Sequence, residues 1–78
     1  MQKNMYTIYD KIAKETGPIV TYNNDHAALR ALPGAFKGHE ESINEFDLYC
    51  VGSIDINTME VFACEPRRID YSDKRNDE

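Results

Sequence analysis

The sequence predicts an α+β fold: a small three-stranded antiparallel sheet (β-α-β-β) with one helix on a face and a disordered C-terminal tail. Three observations carry that expectation. Phe46 to Asp55 alternates apolar and polar residues, and Met59 to Cys64 forms a second extended run beyond a turn at Ile56-Asn57-Thr58. Met5 to Ile12 alternates as well and is rich in β-branched and aromatic residues. Ala28, Leu29, Leu32 and Phe36 recur at helical spacing and draw one apolar stripe.

Taken in chain order, Met5 to Ile12 is the first strand. Large side chains stand on both of its faces, so the sheet is expected to be covered on both sides there. Thr16-Gly17-Pro18 signals a turn, after which Ile19 to Tyr22 runs extended toward the helix. Asn23, Asn24 and Asp25 supply N-cap candidates, with Asp25 also suited to the positive end of the helix dipole. Pro33 interrupts the stripe, since proline removes a backbone donor and crowds the carbonyl four residues back. A break or kink is expected there, with Gly38 ending any continuation. An acidic connection, residues 39–45, then leads into the hairpin. On its first strand Phe46, Leu48, Cys50 and Ile54 share one face, and Asp47, Tyr49, Val51 and Ser53 the other. Asp55 and Asn57 suit the turn because their side chains bond nearby backbone. Glu65-Pro66 is expected to end regular pairing, leaving Arg67 to Ile69 as a semi-extended arm. Residues 1–69 thus read as a single domain and residues 70–78 as a charged flexible tail.

A chain of 78 residues buries only a thin core and normally needs a disulfide, a metal or a second copy to hold it. Cys50 and Cys64 fall on the two hairpin strands, so a cross-strand disulfide is sterically open. The N-terminus lacks a long apolar stretch, so no leader peptide is expected. In a reducing compartment both cysteines serve as small hydrophobes or free thiols. His26 and His39 lie in unrelated segments without metal-ligand spacing, so no metal or other cofactor is expected. Self-association is left, and a homodimer is expected.

The net charge of −5 argues against coating nucleic acid by bulk attraction, and no stretch is apolar and long enough to span a membrane. The charge is uneven: residues 1–38 carry five Lys and Arg against three carboxylates, residues 39–78 four against eleven. No nucleophile, base and orienting group can be named together, and no phosphate-binding glycine loop is present, so an enzyme is not expected. Binding a single strand needs cations beside aromatic faces, and Tyr6, Tyr9 and Tyr22 lie near Lys3, Lys11 and Lys14, with Tyr49 able to join from the hairpin. The competing role for these tyrosines is to fill the core or a dimer contact, which is expected for two of the four.

Three stretches carry a family likeness: Tyr6-Thr7-Ile8-Tyr9-Asp10-Lys11; Asn24-Asp25 leading into Ala28-Leu29-Arg30-Ala31; and Glu45 to Asp55. Their order and spacing over residues 5–69 resemble the small nonstructural protein of gokushovirus-type microviruses, phages with circular single-stranded DNA. Pro33 departs from that family's uninterrupted helix. The resemblance implies a part in phage genome replication in the host cytoplasm, through DNA binding or promotion of single-strand synthesis. With that context, the expected DNA-contacting residues are Lys3, Tyr6, Tyr9, Lys11, Lys14, Arg30, Arg67 and Arg68. The alternative is a protein-binding module whose acidic half meets basic phage or host replication proteins without touching DNA.

Overall fold

The computed structural model describes residues 1–35 and 44–70. The architecture is mostly β: β1 (Gln2–Asp10), β2 (Glu15–Thr16), β3 (Val20–Tyr22), α1 (Asp25–Ala35), β4 (Phe46–Asp55) and β5 (Val61–Ile69). All five strands join one antiparallel sheet in the order β2-β1-β4-β5, with β3 also on the outer side of β1. This corrects the three-stranded β-α-β-β expectation. The helix comes after three strands, and it is a short element on a larger, curled sheet.

The added strands come from the segment read as a turn and an extended run. Asp10 closes a tight turn, its Oδ1 accepting from the Ile12 and Ala13 amides while its carbonyl accepts from Lys14, which sits at φ 61°. The chain then returns along β1. Gly17 donates to the Ile8 carbonyl and its own carbonyl accepts from the buried Thr7 hydroxyl, but Pro18 has no donor to give. The returning strand is therefore split into pieces of two and three residues. Asp55 builds the second hairpin turn on the same plan, accepting from Asn57 and Thr58, with Met59 at φ 69°.

Two irregularities bend the sheet. Met5 faces Gly52 and Tyr6 faces Cys50, which leaves Val51 as an extra residue in β4. Opposite it, β5 passes from Ala63, facing Gly52, to Arg67, facing Cys50. Pro66 lies inside that bulge, where its missing donor breaks no rung of the ladder. Pairing therefore does not end at Glu65-Pro66. Arg67, Arg68 and Ile69 are the last rungs of β5 and not an arm.

Asn24 caps the helix, its Oδ1 accepting from the Ala27 amide. The helix runs on to Ala35 with Pro33 in its last turn, so it does not stop at Leu32. Ala28 and Leu29 pack with Tyr6, Leu48, Cys50 and Ile69 in one core, flanked by Ile8 and Tyr22, and Leu32 is buried as well. Leu48 and Cys50, which alternation put on one face of the strand, lie in the same core as Leu29, whereas Phe46 is only half-buried. Phe36, Lys37, His39 and the tail beyond Asp70 lie outside the described residues.

Candidate functional site

Antiparallel pairing puts directly opposed residues on the same face, so the register reads out the two sides of the sheet. Cys50 faces Arg67, and Leu48 faces Ile69 on the helix-covered side. On the other side Thr7, Tyr49 and Arg68 form one cross-strand row, and Thr16, Tyr9 and Asp47 the next. Among the described residues the one helix covers one face only, which leaves this second face open.

The open face holds a shallow cleft of about 300 Å³ lined by Thr7, Tyr9, Thr16, Tyr49, Val51 and Pro66. The rings of Tyr9 and Tyr49 stand edge to face, 6.5 Å apart at 89°. Beside them Asp47 Oδ1 lies 3.8 Å from Lys11 Nζ and 3.4 Å from Arg68 Nε. Two cations thus flank the tyrosine pair with one carboxylate shared between them. Chemically this is an aromatic surface with a modest cationic edge.

On the covered side a second polar cluster does structural work. Arg67 donates to both oxygens of Asp25, Nη1 to Oδ2 at 2.9 Å and Nη2 to Oδ1 at 3.2 Å. The Tyr6 hydroxyl donates to Asp25 Oδ1 at 2.7 Å and accepts from Asn4 at 3.0 Å. One carboxylate thereby ties β1, the helix start and β5 together. The Arg67 guanidinium, followed by the Tyr6 hydroxyl, holds the Asp25 carboxyl below the usual carboxylate range against the opposing effect of burial. Burial, reinforced by the nearby carboxylate, pushes the Tyr6 phenol up to about 12. The hydrogen bonds to Asp25 raise the Arg67 guanidinium further above its ordinary value.

The eight residues expected to contact DNA do not form one track. Tyr9, Lys11 and Arg68 come together on the open face. Tyr6 has no exposed surface and offers no ring to a base, because its hydroxyl reaches Asp25 through the core. Arg67 is committed to the same carboxylate. Lys3 pairs opposite Ile54 near the far end of β1, Lys14 sits in the first turn, and Arg30 is exposed on the helix. Tyr49, Val51, Thr16 and Pro66 belong to the site but were outside that set. Alternation had placed Tyr49 and Val51 on this face with Asp47, whereas Thr16 and Pro66 arrive only through tertiary pairing. Among the described residues no three His, Cys, Asp or Glu side chains gather to hold a metal ion.

The model of a family described as Phage ORF5 protein matches residues 3–72. No curated protein and no solved structure matches the chain. The matched span takes in the helix and all the described strands but for Gln2 at the start of β1, including both rows of the open face, and the chain belongs to the Phage ORF5 protein family.

Proposed function

We propose that this phage protein acts, without catalysis, in replication of a circular single-stranded DNA genome of the microvirus kind in the host cytoplasm. It does so by weak, sequence-independent binding of single-stranded DNA across the open sheet face. The observation that carries the reading is the Tyr9–Tyr49 pair on an uncovered face with Lys11 and Arg68 at its edge. Stacking on such rings contributes about 1–3 kcal/mol per base and tolerates any sequence. The cations are few and share Asp47, so affinity is low and sensitive to salt. Among the described residues no helix is long and apolar enough to cross a membrane.

The test is anisotropy of a labelled oligo-dT over a salt series. Arg68→Ala should weaken binding and flatten the log–log salt slope by about 0.7. Tyr49→Ala should weaken binding and leave that slope in place, because stacking releases few ions. Absence of binding by the native protein at about 20 mM salt, where screening is weak, overturns the reading. Asp47, paired with both Lys11 and Arg68 and offsetting one of their two charges, favours a second reading, a protein partner in the replication machinery. Its test is direct binding to the purified phage initiator and host replication proteins.

A further inference from the structure

Among the described residues β5 pairs with β4 alone, so its other side is a free edge. That edge has two unlike halves. From Cys64 onward it carries the features that keep edges from pairing: a bulge, Pro66 without a donor, and Arg67 and Arg68. Val61 to Ala63 carries none of them. Val61 is 57% exposed and Phe62 45%, beside Met59 at 78%.

The backbone selects what this segment can pair with. The Asp55 amide donates to the Glu60 carbonyl at 2.9 Å, which makes that opposed pair the hydrogen-bonded kind. The two kinds alternate along an antiparallel ladder. Val61, opposite Ile54, and Ala63, opposite Gly52, therefore turn both N–H and C=O outward, while Phe62, opposite Ser53, turns both toward β4.

We propose that Val61–Ala63 pairs antiparallel with the same segment of a second copy, with Phe62 on the two-fold axis. Val61 then opposes Ala63 of the second copy, and the outward donors of each meet the outward acceptors of the other. Phe62 meets its own counterpart at the closely spaced, non-hydrogen-bonded position. Other centres fail for stated reasons. Glu65, Arg67 or Arg68 on the axis would oppose like charges. Pro66 lacks a donor, and Cys64 runs the pairing through the bulge. Val61 or Ala63 on the axis leaves one outward residue per copy facing Met59 in the turn or Glu65 in the bulge. The axis stands perpendicular to the sheet, so both open faces lie on the same side of the dimer.

Sedimentation of the native protein at micromolar concentration should show a dimer. Ala63→Pro removes an outward N–H without touching the β4 ladder, and Val61→Lys sets a charge against each edge. Both variants should sediment as monomers with native circular dichroism. In a Cys64→Ser background, Phe62→Cys should oxidise to a covalent dimer, because opposed Cα atoms at a non-hydrogen-bonded pair lie about 4.5 Å apart, within disulfide reach. Arg68→Cys in the same background should not. A monomeric native protein overturns the proposal. So does a dimer that survives both edge variants, or one that is lost on Tyr49→Arg and therefore held by the open face.

Discussion

Tyr6→Phe removes one oxygen from the core and leaves the ring that fills it. The lost hydroxyl donates to Asp25 Oδ1 at 2.7 Å and accepts from Asn4 at 3.0 Å. A hydrogen bond to a charged acceptor contributes about 1.5–3 kcal/mol net. Asp25 keeps both contacts to Arg67, and Asn4 is only half-buried and reaches water, so the expected cost lies near the low end of that range. About 1.5 kcal/mol corresponds to a melting temperature lowered by about 6–12 °C in a domain of this size. Urea unfolding followed by circular dichroism at pH 7 measures it. The same pair of proteins then supplies a control in acid. The folded Asp25 carboxyl titrates below its unfolded value, so the stability it confers is present above the unfolded carboxylate pKa. It is lost as pH falls through the lower folded pKa. The gap between native protein and Tyr6→Phe should narrow over that window, as the acceptor loses its charge. Equal stability at pH 7, or a gap independent of pH down to full protonation of Asp25, would refute the network.

Gly52 holds φ +153°, and a Cβ there would collide with the Phe62 carbonyl oxygen and come within 3.1 Å of the Ala63 Cα. Gly52→Ala should cost at least about 2 kcal/mol, combining a backbone region open almost solely to glycine with overpacking, as read by thermal unfolding. Leu48→Ala empties a core position between the helix and the sheet and should cost about 2–5 kcal/mol; an unchanged melting temperature would reverse the assignment of faces. At high pH the Tyr6 phenol, raised to about 12 from 10.0, contributes stability that is whole below its unfolded pKa. That contribution falls away as pH rises from 10 toward 12, by about 1.4 kcal/mol per unit. Tyr6→Phe should lack this component of alkaline unfolding.

By itself the sequence determined the helix start, the hairpin turn and the two sides of β4 as far as Val51; beyond it the extra residue reverses the faces, so Ile54, opposite Lys3, does not share the side of Cys50 as alternation alone had it. Alternation set Leu48 and Cys50 against the helix and Asp47, Tyr49 and Val51 away from it, because side chains along a strand point to opposite faces. Asn24 was legible as a cap and Asp55 as a turn residue, since each acts on backbone within three residues of itself. What lay beyond reach was pairing over distance. Strands of two and three residues show no period, so the return of Glu15–Thr16 and Val20–Tyr22 along β1 left no pattern to read. Pro66 looked like a terminator because its missing donor ends a regular ladder, but a bulge places it where no donor is needed. The charges divided in the same way. Composition located the excess of positive charge, and only the folded chain brought Asp25 to Arg67 across 42 residues and Asp47 to both Lys11 and Arg68. Alternation set Tyr6 and Tyr9, three residues apart on one strand, on opposite faces, because a strand turns over at every residue. Only the tertiary structure decided which face the helix covers, burying Tyr6 and leaving Tyr9 on the other side.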